Sequence, residues 1–381
     1  MKIGIDCSRA FLEKRTGIEE YSYQVIKNLA GNLSGHQVVL YVRGCQAANV
    51  KGQTFPENWK IKVIKWPFFW TQIGLSLEML LHSVEVLFIP AHTVPLIHPA
   101  CTIVTIHGLE YEFCPKAYSL WERIYMRVSI RKSCQWASKI ISVSENTKKD
   151  LMRLYKVPEE KIDVIYEGYE NKLQIPNNKY QKNFKFQISN FKFLLFLGRI
   201  EERKNIGNII KAFEILKEKY KIPHKLVLAG KPGFGFDKIQ NKIQETRYNN
   251  QIISLGFVSE EEKWELLKKA EVFVFPTQYE GFGIPILEAQ SVGCPVVASN
   301  NSSIPEITCP KAKPSEHRRL NLPEFSALLV NPQSPTEIAE AIHEIISNQS
   351  FKKDLIEKGL ENVQRFSWEK CGREVAEILE R

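Results

Sequence analysis

The chain has 381 residues, 44% of them hydrophobic and 25% charged, with a formal net charge of +9. That length accommodates two ordinary domains with separate cores, and no uninterrupted apolar run reaches the ~18 residues of a membrane span. The eight cysteines form no C-x2-C pair, and several, such as Cys101 and Cys294, lie in apolar runs, which points to reduced thiols in a cytoplasmic protein rather than disulfides or zinc.

The positive excess is modest and dispersed, most of it within residues 1–165. No nucleic-acid-binding motif accompanies it, so nucleic acid is not the partner it predicts.

Residues 1–168 alternate strand and helix. Runs at 2–6, 37–42, 60–65, 84–90, 102–106, 139–143 and 163–166 read as strands with helical patterns between several of them, which predicts a parallel sheet covered by helices. The start reads as the first strand and lacks the apolar core of a signal peptide. A polar loop leads to Gly17, where a helix opens over 16–28. Residues 66–81, WPFFWTQIGLSLEMLL, are aromatic and largely uncharged. His107 follows the buried run 102–106, beside Gly108; a strand-end histidine suits a ligand contact, and equally a structural role. Over 118–136, Arg123, Arg127 and Arg131 recur every four residues with Lys132 beside them, while Trp121, Tyr125, Val128 and Trp136 supply apolar and interfacial groups. Such a helix predicts peripheral contact with an anionic membrane, unless it is simply a solvated face above a core face. Ser144 can cap the next helix.

The polar segment 167–190, with Gly168 and Pro176, reads as a linker. A second alternation follows, with strands at 193–197, 225–229, 252–255, 272–275, 295–298 and 327–330. Two doubly wound domains with substrates in the cleft between them are the expected architecture. In LGRIEERKN, Gly198 is followed by Arg199 and Lys204 at the carboxyl end of a strand. Two fixed cations there suit a diphosphate, the arginine by its fork and the lysine as a point charge; the alternative is pairing of Arg199 with Glu201 and Glu202. Ser259 caps a helix starting at Glu260. The 309–324 stretch, rich in proline and basic residues, is expected to be a disordered loop or a lid. Helical patterns at 334–346 and 351–366 precede a last amphipathic helix over 367–379.

The most informative stretch is VFVFPTQYEGFGIPILEAQSVGCPVVASN, residues 272–300. It reads as strand, glycine-bearing loop, helix over 284–292 and strand, with Pro285 in the first helical turn and Gly293 and Pro295 ending the helix. The N–H groups of Phe282, Gly283 and Ile284 then sit at a helix N-terminus beside the carboxyl end of a parallel strand, where anions bind. Glu280 and Glu288 bracket that turn; a carboxylate in a first or second turn can also merely complement the helix dipole.

EGFGIPILEAQSVGCPVVAS resembles the donor-site segment of the group 1 (family 4) retaining glycosyltransferases, two-domain enzymes of the GT-B fold. The resemblance spans nearly the whole chain. It implies an acceptor-binding domain over 1–168, a nucleotide-sugar-binding domain over 169–366 and a final helix, 367–381, crossing back to the first domain. It implies that G-R-x4-K binds the donor diphosphate through Gly198, Arg199 and Lys204, that Glu288 holds the ribose, and that Glu280 with the amides of Phe282, Gly283 and Ile284 holds the sugar. Backbone near Val258 would touch the base, Gly17 would approach the phosphates, and His107 would contact the transferred sugar. This chain has Gly108 where members carry an aspartate, and one glycine near position 17 where many have two.

The function implied is retaining transfer of a hexose, mannose or glucose, from a nucleotide sugar to a glycan or lipid-linked acceptor in envelope polysaccharide synthesis. No covalent nucleophile stands out, and the resemblance implies the family's front-face mechanism, in which the leaving phosphate takes the acceptor proton. No D-x-D is present and no metal or other cofactor is implied. A nucleotide-sugar epimerase, a disaccharide phosphorylase and a non-catalytic binding subunit are the rival readings.

Overall fold

The computed structural model describes residues 1–13, 15, 17–170, 191–309 and 324–381. Most of the expected linker and all but the ends of the 309–324 stretch lie outside the described residues. The chain divides into two compact units, one of Met1–Tyr111, Leu120–Gly168 and Phe366–Arg381, the other of Glu112–Ser119 and Tyr169–Arg365.

The first unit holds seven strands: β1 (Lys2–Asp6), β2 (Gln37–Arg43), β3 (Trp59–Ile64), β4 (Val86–Ile89), β5 (Cys101–Ile106), β6 (Lys139–Ser142) and β7 (Ile162–Val164). They form one sheet in the order β3-β2-β1-β4-β5-β6-β7, and every pair is parallel. Burial of both sheet faces explains the apolar character of the central strands, where Ile3, Ile5, Leu40, Phe88 and Val104 are fully buried; the edge strand β3 is largely exposed. The helices are α1 (Gly17–Asn32), α2 (Ala47–Lys51), α3 (Ser76–Leu81), α4 (Glu110–Phe113), which runs into the second unit, α5 (Leu120–Trp136) and α6 (Glu145–Tyr155). Ser144 caps α6, its hydroxyl accepting from the Thr147 amide at 3.1 Å.

The second unit contains β8 (Phe193–Leu197), β9 (Lys225–Ala229), β10 (Ile252–Gly256), β11 (Val272–Phe275), β12 (Val296–Ser299) and β13 (Leu328–Val330), all parallel, in the order β10-β9-β8-β11-β12-β13. Its helices are α7 (Ile206–Glu218), α8 (Phe236–Glu245), α9 (Glu260–Lys269), α10 (Ile284–Ser291), α11 (Ile304–Thr308), α12 (Pro335–Ser347) and α13 (Gln349–Asn362). A last helix, α14 (Trp368–Leu379), belongs to the first unit. There it lies against α1, burying Cys371, Val375, Ala376 and Leu379, with Trp368 edge-on to Tyr21 at 6.1 Å.

Strand order reverses between β8 and β11. Connections on the two sides of such a point leave in opposite directions, opening a crevice at the strands' carboxyl ends. The loops carrying Arg199, Lys204 and Glu280 leave from those two strands.

Candidate functional site

Beyond β8, Gly198 and Arg199 lead into a 3-10 turn at Glu202–Lys204. Asn205 adopts φ 65° and fixes this turn to the exit of β11, its amide donating to the carbonyls of Pro276 (2.9 Å) and Pro332 (2.6 Å). The Gln278 amide donates to the Arg203 carbonyl at 3.0 Å. The two loops are thereby joined, and Lys204 Nζ meets Glu280 Oε1 at 2.6 Å, with both side chains largely buried. Burial holds the Lys204 ammonium below the usual lysine range, opposed chiefly by Glu280.

The loop after β12 secures the other side of the glutamate. The Glu280 amide donates to Ser302 Oγ (3.1 Å), while Ser303 Oγ donates to the carbonyls of Glu280 (3.0 Å) and Phe282 (2.6 Å). Gly283 caps α10 at φ 126°, a backbone conformation that favours glycine. The amides of Gly283 and Ile284 therefore open the helix next to the Lys204–Glu280 pair. Arg199 is exposed. Glu201 pairs instead with Arg203 (2.6 Å) and Glu202 with Lys238 (3.0 Å), so the acidic neighbours are engaged elsewhere and the Arg199 guanidinium remains open to a ligand.

Close backbone approach shapes the floor of this site. Gly230, at φ 150° after β9, lies so near β8's exit that an added Cβ would be 1.8 Å from the Gly198 carbonyl oxygen. Val258 is buried just beyond β10. Ser259 next to it completes a capping box, accepting from the Glu262 amide (3.2 Å) while Glu262 Oε2 accepts from the Ser259 amide (2.8 Å).

Glu288 lies in the second turn of α10, where its carboxylate meets Lys263 Nζ of α9 at 2.8 Å. Lys263 reaches Glu260 at the same distance. Burial opposes the Lys263 charge, but these two carboxylates outweigh it and lift Lys263 above the usual lysine range. Burial raises the Glu288 carboxyl, with Lys263 opposing. Sequence reasoning missed Lys263; its one signal was a lysine three residues after Glu260 on a helix face.

The remaining predicted residues belong to the first unit. Gly17 opens α1, and a Cβ there would meet nothing within 4 Å. His107 follows β5 with both ring nitrogens engaged: Nδ1 with Glu167 Oε1 (3.1 Å) and Nε2 with the Pro90 carbonyl (2.8 Å). A carbonyl only accepts, so Nε2 carries a proton. Tyr21 and His92 meet the His107 ring edge-on at 4.5 and 5.2 Å. Glu167 was read only as the start of a linker; its place beside His107 left no local signal in the sequence.

Two family profiles account for most of the chain. Residues 15–172 match Glycosyltransferase Family 4, and residues 178–362 match Glycosyl transferases group 1. The chain belongs to the group 1 glycosyltransferases. This glycosyltransferase is 28% identical over 271 residues to O-antigen chain mannosyltransferase B of Escherichia coli, covering 71% of this chain and 67% of that one. It is 25% identical over 378 residues to the glycosyltransferase MJ1607 of Methanocaldococcus jannaschii, covering 92% of each. Among solved structures, sucrose-phosphate synthase from Thermosynechococcus elongatus superposes with a TM-score of 0.75 at 19% identity, covering 100% of this chain and 98% of that one. Anabaena Alr3699/HepE in complex with UDP and glucose gives 0.72 at 17%, covering 100% and 99%. The fold of this glycosyltransferase is GT-B: two α/β domains, each on a parallel sheet.

Proposed function

We propose that this glycosyltransferase moves a hexose, mannose or glucose, from a nucleotide-diphosphate sugar to a glycan or lipid-linked acceptor, with retention of configuration, in the building of an envelope polysaccharide. The observation that carries the reading is the buried Lys204–Glu280 pair beside the N-terminus of α10, at the crevice between β8 and β11. Relatives named as O-antigen mannosyltransferases, in Escherichia coli and Salmonella typhimurium, support mannose and a polysaccharide product. A neighbour solved with UDP and glucose supports a nucleotide-sugar donor.

Arg199 and Lys204 hold the diphosphate, with Gly198 allowing its approach. Glu288 takes the ribose hydroxyls, and backbone at Val258 borders the base. Glu280 and the amides of Phe282, Gly283 and Ile284 hold the sugar. As the bond from C1 to the phosphate oxygen breaks, the two cations and the helix end stabilise the charge left on the diphosphate. That same leaving oxygen takes the acceptor's proton as the new bond from C1 to the acceptor oxygen forms, so no enzyme nucleophile is used. These fixed positive groups supply the charge that a metal would otherwise provide, and turnover is expected to survive a chelator. The eight free cysteines fit a reaction run in the reducing cytoplasm.

A thermal-shift panel of UDP-, GDP-, ADP- and dTDP-sugars with their free diphosphates tests the donor site, since a ligand of the folded state raises the midpoint by mass action. One base is expected to stand out. Arg199→Ala and Glu280→Gln are expected to lower kcat/KM by about 10- to 100-fold, the scale of one charge-assisted hydrogen bond. No shift with any nucleotide, or turnover untouched by both substitutions, would overturn the reading. Product analysis without added acceptor separates transfer from epimerisation or phosphorolysis.

A further inference from the structure

Helix α5 is turned the opposite way from a core-packing amphipathic helix. Trp121, Ile124, Tyr125 and Val128 recur at the i, i+3, i+4, i+7 spacing of one apolar stripe, and all four are exposed, Trp121 by 79%. The residues α5 buries, Ile130, Ser133 and Cys134, lie about half a turn away. An apolar stripe that could have faced the sheet is instead held in solvent.

A second apolar segment lies beside it. Phe68 and Phe69 are 75% and 70% exposed, and Leu77, Leu80 and Leu81 of α3 are exposed as well. Phe69 has φ 47°, which an aromatic residue rarely adopts. The segment is nevertheless anchored: Trp70 is buried and its indole donates to the Ile64 carbonyl at 3.1 Å. A loop bearing exposed Leu96 and Ile97 joins the two regions. Gln72 donates to the Val94 carbonyl (3.1 Å), and Ser76 Oγ accepts from the Ile97 amide (3.2 Å). The Val94 amide in turn donates to Ser133 Oγ on α5 (2.9 Å). The three apolar segments therefore sit side by side on the first unit.

Basic residues border this surface. Within α5, exposed Arg127, Arg131 and Lys132 stand against one carboxylate, Glu122, whereas Arg123 is half-buried on the side of the helix opposite the apolar stripe. Exposed Lys60, Lys62 and Lys65 line the neighbouring edge at β3. We propose that the three segments form one docking face for an anionic lipid bilayer, with Trp121, Phe68, Phe69 and Leu81 entering the interface and the arginines and lysines meeting the headgroups. Aromatic side chains favour that boundary layer, and the basic rim is drawn to anionic lipid. Self-association through this face would set like charges of two copies against each other. No helix among the described residues is long and apolar enough to cross a membrane, so this attachment is to the bilayer surface. Anchoring there would keep a lipid-linked acceptor within reach, the acceptor class proposed above, but the docking face itself rests on exposure and charge alone.

Vesicle flotation of the full chain, at low salt, tests it. The protein is expected to float with vesicles containing phosphatidylglycerol and to remain behind with phosphatidylcholine alone. Trp121→Ser, and separately Phe68→Ser with Phe69→Ser, are expected to lower the bound fraction about tenfold, the scale for removing aromatic groups from an interface. Arg131→Glu with Lys132→Glu should remove the preference for anionic lipid and weaken its salt dependence. Each variant should keep the wild-type thermal shift with nucleotide sugars, since none touches the donor site. Failure of the wild type to float with anionic vesicles would overturn the proposal, as would floating that none of the variants changes. A lipid-free dimer, abolished by Trp121→Ser, would overturn it in favour of a second copy on this face. A donor shift without flotation would sink the docking face alone, and flotation without a donor shift would sink only the proposed function.

Discussion

Replacing Lys263 with methionine removes one charge and keeps most of the side-chain volume; it breaks the buried pair with Glu288 and the pair with exposed Glu260, and a double variant at Glu288 separates the two. The two groups are 2.8 Å apart, with side chains 14% and 12% exposed. At an effective dielectric of about 20 the gross attraction is about 6 kcal/mol. Part of that offsets the desolvation of both groups. Removing one partner of a buried pair costs about 3 kcal/mol or more, because the other charge stays behind without compensation. For a unit of this size the Lys263→Met melting temperature is expected to fall by about 6–12 °C.

The pH dependence is a second signature. Burial already raises the Glu288 carboxyl, and Lys263 opposes that rise; without Lys263 the carboxyl rises further. A raised acid holds its proton in the folded state at pH values where the unfolded chain has released it, so stability is lost as pH increases. The variant's deficit should be smallest in acid and should grow as pH rises past the ordinary carboxylate range. Glu288→Gln in the Lys263→Met background should recover most of the loss, because no buried charge is then left unpaired. Scanning calorimetry across pH on the wild type, both single variants and the double variant gives the coupling energy. A Lys263→Met protein that melts within about 1 °C of wild type, or a double variant no better than the single one, would refute the reasoning.

Gly230→Ala should prevent the second unit from folding, since its Cβ would collide with the Gly198 carbonyl at 1.8 Å in a backbone conformation alanine avoids; soluble yield and a far-UV melt check it. Ser259→Ala breaks the capping box of α9 and should cost about 1 kcal/mol, read as a shift in the urea midpoint at unchanged slope. Burial, with His107 and Arg9 adding to it, holds His92 well below the usual histidine range. A lowered base binds its proton in the unfolded chain first, so its contribution to stability is lost as pH falls through the ordinary histidine range. His92 also sits at φ 47°, which asparagine tolerates. His92→Asn should therefore flatten the loss of melting temperature between neutral and mildly acidic pH, and an unchanged slope would exclude His92 as its source.

Much of the architecture was legible because it is written locally. A parallel strand buried on both faces must be apolar throughout, so 193–197, 225–229 and 272–275 coincide with β8, β9 and β11. Helix ends were nearly as readable: Ser144 and Ser259 cap where their side chains predict, and α10 opens at Gly283 and Pro285. The first helix runs to Asn32, beyond the expected 28, because nothing in LAGN breaks it until the chain must turn into β2. The expected 351–366 helix ends at Asn362 and tightens into a 3-10 turn over Val363–Arg365.

The sequence by itself determined that two alternations of strand and helix exist, that two cations follow one strand and that a glutamate-flanked glycine turn follows another. It could not determine which charges those groups face. Lys204 meets Glu280 across 76 residues of chain, His107 meets Glu167 across 60, and Lys263 meets Glu288 across 25. Each meeting depends on strand order and on the angle at which a loop leaves its sheet, and neither has a local code. The same holds for α5. Its periodicity marks an apolar stripe, but only the packing of Ile130, Ser133 and Cys134 settles that the stripe faces water. A helix has two faces that could be buried, and the sheet beneath it decides which one is.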